Sequence, residues 1–441
     1  MGISNIIFLV VFLVAIGFFI RNLNRIITNI KLGRDINRSD RPTVRWKNMF
    51  RVAMGQSKMT RRPVAGVLHI IVYLGFLIIN IEVIEIVVDG IFGSHRFLST
   101  VLPIGLYNFL IGSFEILAIL VLVACIIFLI RRNVVRIKRF WSKEMTAWPR
   151  TDANLILVFE ILLMTAFLLM NATDSILLSR GDSHYTVAFS TPISQYFQFL
   201  FSGLETSTLV LIERFTWWFH IVGILGFMNY VLISKHLHIF FAFPSTYFAN
   251  LNPLGQFTNL ESVTNEVKLM MDPNADPYAA PPTDAPAPES FGAKDATDLN
   301  WVQLLNAYSC TECGRCTDNC PANHTGKLLS PRKVMMDTRD RIEAVGRNMD
   351  QNKGVFKPDD KQLLDDYITR EEIWACTSCN ACVEACPVSL SPLDIIMELR
   401  RSLIMEESNA PSEWNNTFSI LTLVQNSLYQ SMARCRKHPK I

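Results

Sequence analysis

Long apolar runs alternate with polar connections over the first half of the chain and predict a bundle of membrane-spanning helices. Each run approaches the roughly 20 residues that cross a bilayer core as a helix. The runs cover residues 3–20, 64–88, 105–130, 153–178 and 215–234. The first run has no basic region before it and no small-residue cleavage site after it, so it predicts a membrane anchor and not a signal peptide.

The second half of the chain is more polar and divides into a linker, a domain and a tail. After a membrane domain of residues 1–248, residues 249–296 contain the stretch DPNADPYAAPPTDAPAPES and predict an extended Pro/Ala-rich linker. Residues 297–405 carry apolar positions at helical spacing and predict an α-helical domain. The tail, residues 406–441, has the pattern of one amphipathic helix.

Composition and charge support the membrane assignment and orient it. The chain has 441 residues, of which 50% are hydrophobic and 18% charged, which is too apolar for an ordinary soluble protein. The connections 21–62 and 131–150 hold twelve and seven Lys or Arg residues, whereas those near 89–104 and 179–212 hold one each. Basic connections stay inside. We therefore expect a protein of the cytoplasmic (inner) membrane with its N-terminus outside and everything after residue 235 in the cytoplasm.

Two cysteine runs carry the clearest chemistry. CTECGRCTDNCP and CTSCNACVEACP, residues 310–321 and 376–387, repeat the spacing C-x2-C-x2-C-x3-C-P. This spacing is typical of [4Fe–4S] ligands, with the fourth cysteine of each run bound to the other cluster. Structural zinc, the alternative, uses separated pairs without a trailing proline. The first predicted ligand set is Cys310, Cys313, Cys316 and Cys386. The second is Cys376, Cys379, Cys382 and Cys320.

Histidines in or beside the apolar runs are candidates for haem ligands. An apolar helix has little reason to carry an imidazole unless something binds it. His69 and His238 are predicted at one depth on different helices, as the axial ligands of a haem b require. His220 lies about 27 Å from His238 at 1.5 Å per residue and is a third candidate. The alternative for all three is an interfacial position or a hydrogen bond to a neighbouring helix, and His236 is expected to be interfacial.

Five carboxylates also lie within the apolar runs, where ionised groups are costly and are candidates for function. Glu115 and Glu160 lie deepest and are candidates for passing protons to a quinone or for contacting haem propionates. The alternative is a hydrogen bond to a neighbouring helix or a position facing a water-filled cleft. Glu82, Glu85 and Asp174 lie near helix ends, and we expect them to be solvated.

The run WWFHIVGILGFMNYVLISKHLHIFFAFP, residues 217–244, resembles the last transmembrane helix of the nitrate reductase gamma-subunit family of cytochromes b. That family has five helices, with the N-terminus outside and an H-x17-H pair on the last helix, which His220 and His238 match. Its second helix carries H-x9-H, of which His69 matches the first position and Ile79 occupies the second. The resemblance implies an inner haem held by His69 and His238, and it leaves His220 without its usual partner for an outer haem.

Residues 297–405 resemble the cluster domain of heterodisulfide reductase C/D-type subunits and of succinate dehydrogenase iron–sulfur subunits. The resemblance rests on the repeated cysteine run, on PRK at 331–333 and on IWACTSC at 373–379. It implies a two-cluster α-helical ferredoxin. The predicted fold class is therefore an all-α membrane protein, with a five-helix transmembrane bundle followed by a cytoplasmic α-helical ferredoxin domain. Fused chains of this type resemble the membrane module of heterodisulfide-reductase-like and electron-transferring-flavoprotein:quinone oxidoreductases.

The sequence shows no site for a soluble substrate, since it has no G-x-G-x-x-G after a strand, no phosphate loop and no cysteine-rich CCG repeat. We assign no catalytic residue. The expected function is that of an electron-transfer subunit in a respiratory, quinone-linked oxidoreductase complex. It would pass electrons between a cytoplasmic redox partner and the quinone pool through two [4Fe–4S] clusters and at least one haem b.

The expected partners are the membrane, a quinone, and a soluble CCG-repeat iron–sulfur protein or flavoprotein, and we expect no nucleic acid. Two alternatives remain open at this point, a haem-free membrane-anchored ferredoxin and a membrane redox sensor. Haem content distinguishes the first of them from the expected function. The second would need a signalling output domain, and none is readable.

Overall fold

The computed structural model describes residues 2–272, 290–417 and 419–424. The helices in chain order are α1 (Ile3–Ile30), α2 (Pro42–Met49), α3 (Pro63–Phe92), α4 (Leu98–Val101), α5 (Ile104–Asn133), α6 (Trp148–Ser179), α7 (Thr206–Val231), α8 (His238–Tyr247), α9 (Glu261–Met271), α10 (Trp301–Tyr308), α11 (Pro321–His324), α12 (Pro331–Gln351), α13 (Arg370–Trp374), α14 (Ala381–Ala385) and α15 (Pro392–Arg401). Residues 412–417 and 419–424 are also helical. The described residues contain two isolated β-bridges and no strand.

Short segments of 3₁₀ or π helix connect several of these elements. The 3₁₀ turns are Met59–Arg61, Lys138–Phe140, Lys143–Met145, Ser194–Leu200, Lys235–Leu237, Ala296–Asp298 and Thr317–Asn319. Phe50–Met54 and Ser402–Glu406 are π turns, whereas Leu363–Tyr367 is a turn in which Leu364 and Asp365 have non-helical backbone angles.

The five predicted apolar runs form α1, α3, α5, α6 and α7, which among the described residues are the helices long and apolar enough to cross a membrane. Their core is closely packed, with Tyr107, Phe114, Phe167 and Ile221 fully buried. Where α3 meets α5, a Cβ added at Gly75 would lie 2.4 Å from Val121 Cγ2, so only glycine fits. Close approach at small residues is how helices associate in a bilayer, where apolar burial supplies little driving force between them.

The end of α7 differs from the predicted span of 215–234. The helix stops at Val231, because Asp152 Oδ2 of α6 accepts the backbone N–H of Lys235 at 3.0 Å in place of a carbonyl of the preceding turn. Ser234 Oγ then accepts the N–H of His236 at 2.9 Å. As a result, His238 begins the separate helix α8 and does not lie on one continuous helix with His220.

Two other predicted segments are partly described. Inside the segment 249–296, which was predicted to be an extended linker, Glu261–Met271 forms the helix α9, and residues 273–289 lie outside the described residues. Of the predicted tail helix at 406–441, residues 412–417 and 419–424 are helical, and the rest after 424 lies outside the described residues.

Residues 297–405, called the cluster domain below, pack α10, α12 and α15 around an apolar core. Leu304, Ile342, Leu363, Ile395 and Leu399 are fully buried there. The start of α12 follows the usual capping pattern, since Ser330 Oγ accepts the N–H of Lys333 and proline occupies the first turn. The two cysteine runs lie in the loops and short helices beside this core.

The cluster domain contacts one end of the bundle, called the cluster end. At its interface Arg332 is fully buried, and its guanidinium donates to Arg139 O at 2.6 Å, Ser142 Oγ at 2.9 Å and Glu144 Oε1 at 2.7 Å. Burial would raise the pKa of Glu144, but Arg332 and then a Ser330 hydroxyl outweigh it and hold that pKa below its usual value. Removing one partner of such a buried ion pair leaves the other charge buried and unpaired, which is strongly destabilising.

A second set of contacts docks the same domain at α1 and at the turn after α7. Asn29 Nδ2 donates to the Tyr308 hydroxyl at 3.0 Å, beyond the predicted end of the first apolar run. Glu312 forms an ion pair with Lys235 and accepts from Arg339 at 2.8 Å. Burial opposes ionisation of Glu312, but Arg339 and Lys235 outweigh it and lower its pKa. The cluster domain is therefore held against the bundle by buried polar contacts.

Candidate cofactor sites

The loops of the cluster domain bring the cysteines together in the two predicted groups. Burial raises the pKa of six of these thiols, and for each of the six a neighbouring thiol of the same group raises it further. The first group contains Cys310, Cys313, Cys316 and Cys386. The second contains Cys376, Cys379, Cys382 and Cys320. Cys386 thus lies near thiols of the first run and Cys320 near thiols of the second run, and the assignment of the eight cysteines as cluster ligands stays a prediction.

The chemistry of these donors fits metal clusters. Burial, followed by Cys376 and Cys320, raises the pKa of Cys382 to about 12. Burial and Cys313 raise the pKa of Cys386 to about 11. Buried thiolates crowded in this way need a positive metal centre to remain ionised. No three His, Cys, Asp or Glu side chains within the described ranges converge tightly enough to hold a single metal ion.

Backbone geometry supports the sulfur positions. The N–H groups of Ser378 and Leu390 donate to the sulfurs of Cys376 and Cys386 at 3.4 and 3.3 Å. Such donors stabilise thiolate ligands and tune the potential of a bound cluster. In the first run Gly314 has φ +71° and lies against Arg332, where a Cβ would come within 2.4 Å of the guanidinium. This glycine therefore lets the ligand loop pass the buried arginine.

The two cysteine groups face different surroundings. Cys379 of the second group is exposed at the surface of the cluster domain. Cys313 of the first group lines a cavity between the cluster domain and the bundle, next to Pro387 and Val388. The second group is thus accessible from solution, whereas the first faces the membrane helices.

This cavity, called the near cavity, has a volume of about 320 Å³ and is walled by α3, α5, α6 and α8 together with the cluster domain. His69 and His238 both line it, with their ring centres 6.4 Å apart and their planes tilted by 40°. Two imidazoles that bind one metal atom from opposite sides, at about 2 Å each, have ring centres about 6 Å apart. The spacing of the two rings therefore fits axial ligation of one haem iron.

The hydrogen bonds of the two rings suit the same role. His238 Nδ1 lies 3.0 Å from the carbonyl of Lys235, which can only accept, so Nδ1 carries the proton and Nε2 keeps its lone pair. Burial lowers the pKa of His238, which favours the neutral form that binds metal. His69 is half-buried in the second turn of α3, and its Nδ1 is buried without a hydrogen-bond partner.

Sequence reasoning missed several residues of the near cavity. Arg132, Arg139 and Arg315 line it, and buried guanidinium nitrogens of Arg132 and Arg139 lack partners. Unpaired guanidinium groups suit carboxylates such as haem propionates. His236, expected to be interfacial, also lines the cavity, and its ring centre lies 5.3 Å from that of His238. The only sequence signal was basic residues next to the end of an apolar run, which served above to orient the chain.

The surroundings of His220 differ from those of the His69–His238 pair. Its Nδ1 donates to the carbonyl of Leu163 at 3.0 Å, and its ring lies 6.0 Å from that of Phe167. Among the described residues, its ring contact is with this phenylalanine and not with another imidazole. Ile79 is buried within the core of the bundle. The structure therefore does not bring a second histidine to this position.

The two deepest carboxylates have different roles. Glu115 is fully buried and accepts from the backbone N–H groups of Ile193 and Ser194 at 2.9 and 3.0 Å and from Asn171 at 3.0 Å. Its bond to Asn171 of α6 is a hydrogen bond to a neighbouring helix, one alternative considered for it, and the two amide bonds anchor the connection after α6. Glu160 instead lines the near cavity.

Three carboxylates near helix ends are not solvated, so that prediction was wrong. Glu82, Glu85 and Asp174 are only 3%, 3% and 2% exposed. The connection after α3 folds back over them and inserts Arg96, whose Nε donates to Asp174 Oδ2 at 2.8 Å. A connection that closes over a helix end removes water from groups that the apolar pattern alone places near the surface.

Comparison with known proteins agrees with the cysteine geometry. Residues 309–390 match the family described as a 4Fe-4S dicluster domain. The fold and this match define a helical protein with five membrane-length helices joined to a 4Fe-4S dicluster domain. No solved structure matches the chain.

Several curated proteins are similar to the chain. A probable iron-sulfur-binding oxidoreductase, FadF of Bacillus subtilis, is 28% identical over 93% of this chain and 57% of its own length. The EtfAB:quinone oxidoreductase of Syntrophomonas wolfei is 25% identical over 87% of this chain and 52% of its own length. One of the subunits of the ferredoxin/F(420)H(2)-dependent CoB-CoM heterodisulfide reductase of Methanosarcina acetivorans is 35% identical over 23% of this chain and 49% of its own length. The chain thus spans about half the length of these relatives. The resemblance of the cluster domain to heterodisulfide reductase subunits is confirmed, and the resemblance of the bundle to a cytochrome b stays a prediction.

Proposed function

We propose that this protein is a membrane-bound electron-transfer protein that connects a cytoplasmic redox partner to the quinone pool. Its eight clustered cysteines would hold two [4Fe–4S] clusters, and His69 and His238 would hold a haem b. The observation that carries the proposal is the near cavity, which both histidines and Cys313 line. The same cavity thus borders the first cysteine group and the paired imidazoles of α3 and α8.

The placement of the ligands suits transfer between solution and membrane. When bound, the clusters and the haem supply one-electron carriers at these positions. Exposed Cys379 places the second cysteine group where a soluble partner can approach it. The protein contributes ligand geometry, amide donors to sulfur, and a largely apolar cavity that restricts water around the imidazoles.

The names of the relatives support the same assignment. One is an EtfAB:quinone oxidoreductase, and another is a subunit of a heterodisulfide reductase. The proposed partner is accordingly a flavoprotein or a CCG-repeat iron–sulfur protein. The basic connections at the cluster end favour a cytoplasmic position for the cluster domain and an outside N-terminus.

The test is a reduced-minus-oxidised optical spectrum of the detergent-purified protein, with haem and non-haem iron quantified per chain. The proposal expects a b-type haem and about eight non-haem irons per chain, and reduction of a quinone analogue by the reduced protein. Clusters without haem would contradict it and favour the haem-free ferredoxin or the redox sensor. One haem per chain would assign it to the His69–His238 site, and two haems would require a further ligand for His220.

A further inference from the structure

A second cavity lies at the opposite end of the bundle, called the far end, where α3 ends at Phe92 and α6 at Ser179. It has a volume of about 310 Å³, and its walls come from α1, α3, α6, α7 and the connections that follow α3 and α6. The carboxylates that line it are Glu82, Glu85, Asp89, Asp174 and Glu213. The basic residues that line it are His95, Arg96, His184 and Arg214.

Two of these carboxylates are paired with arginines. Arg96 donates to Asp174 Oδ2 through Nε at 2.8 Å and also to the side chain of Asn171 at 2.9 Å. Arg214 donates to Glu213 Oε1 at 2.6 Å. These pairs are fixed, and their positive charges are already balanced within the cavity wall.

Backbone amides satisfy two further carboxylates. Asp89 accepts the N–H groups of Arg96 and Phe97 at 2.7 and 3.1 Å. Glu85 accepts the N–H of Leu98 at 2.9 Å. Both groups therefore act as caps for the connection that closes over the cavity.

Glu82 has no comparable partner. Its side chain is 3% exposed, and its Oε2 is buried without a hydrogen bond. An unpaired ionised carboxylate inside a membrane bundle is costly, and a carboxyl group avoids that cost by carrying a proton. The charged groups nearest to it are Glu85 on its own helix, Arg96 in the connection and Glu115 on α5. In the cavity wall, the charged groups of α6 and α7 are Asp174, Glu213 and Arg214.

A proton acceptor lies in the wall of the same cavity. His95 Nε2 lies 3.2 Å from Asp174 Oδ2. The carboxylate accepts a hydrogen bond from the Nε2–H group and so fixes the tautomer of the ring. His95 Nδ1 then carries the lone pair, and it is buried without a partner. The ring of His184 lies 5.2 Å from that of His95 and is exposed to solution. The two imidazoles thus lead from the cavity to the surface of the far end.

We infer that the far-end cavity is a proton-exchange site, in which Glu82 and the solution at that end exchange protons through His95. In the outward step the O–H bond of Glu82 breaks and an N–H bond forms at His95 Nδ1, by way of water in this polar space. Asp174 stabilises the imidazolium. The imidazolium then releases the Nδ1 proton to His184 or to solution, and neutral His95 is regenerated.

The test uses the full chain in liposomes, with its orientation determined by protease access to the cluster domain. The pH is stepped on one side only, and the infrared C=O band of protonated carboxyl groups is followed. We expect a band that Glu82→Gln removes and that follows the pH on the far side. In His95→Gln the band should respond about 100-fold more slowly.

Glu205→Gln is the matched control, because Glu205 is an exposed carboxylate at the same end, before α7. It should leave the band and its rate unchanged. A band that follows the pH on the cluster side, or an unchanged rate in His95→Gln, would overturn the inference. If the Glu82→Gln variant does not insert into the membrane, the response rate of the carboxyl band in His95→Gln is the deciding result. The readout needs neither haem nor clusters, so its failure is distinct from a failure of the proposed electron-transfer function.

Discussion

The ring centres of His69 and His238 lie 6.4 Å apart, although one residue belongs to α3 and the other to α8. The pairing depends on the break after α7, which Asp152 produces by accepting the N–H of Lys235. At the break that separates α8 from α7, Asp152 of α6 thus accepts a backbone N–H next to the candidate haem site.

Under the proposed function, His69→Ala should abolish b-type haem binding and leave the iron–sulfur content unchanged, because this imidazole would be one of the two side chains that hold the haem. The measurement is haem and non-haem iron per chain. His324→Ala is the control, since that ring is exposed and contacts the carbonyl of Asp318 at 2.8 Å. Full haem content in His69→Ala would show that the ligand assignment is wrong.

Cys316→Ser and Cys386→Ser should remove the same cluster, although the two residues lie in different cysteine runs. Cys382→Ser should remove the other one. Each variant is expected to lose about four of eight non-haem irons, and electron paramagnetic resonance should show the same missing signal in the first two. Cys125→Ser is the control, because that thiol is buried within α5. Different missing signals in Cys316→Ser and Cys386→Ser would reject the crosswise ligand sets.

The sequence predicted the features of the structure that are determined by neighbouring residues along the chain. Apolar runs of sufficient length predicted the five long helices, and the repeated cysteine spacing predicted the 4Fe-4S dicluster domain that residues 309–390 match. The break between His220 and His238 was not predictable, because it depends on Asp152 in another helix. Burial of Glu82 was missed for a related reason, since the path of the connection that covers it is set by tertiary contacts.

Arg132→Ala and Arg139→Ala should weaken haem retention and lower the haem midpoint potential. Both guanidinium groups line the near cavity with buried nitrogens that lack partners, and a nearby positive charge favours the reduced, less positive haem. Redox titration of the haem band is the measurement. Arg136→Ala is the matched control, because Arg136 is exposed and packs over Trp141. Equal haem midpoint potentials in all three variants would show that Arg132 and Arg139 do not belong to the haem site.

Arg332→Ala should release the cluster domain from the bundle while the domain keeps its clusters. The variant leaves Glu144 without its buried partner and removes the donors to Arg139 O and Ser142 Oγ, which we expect to cost docking about 3 kcal/mol. Limited proteolysis should then cut faster between the membrane helices and the cluster domain, and haem reduction through the clusters should slow. Arg347→Ala is the control, since its pair with a carboxylate on the same helix is exposed and contributes little. An unchanged cleavage rate in Arg332→Ala would mean that the other contacts, including those of Glu312, hold the domain in place by themselves.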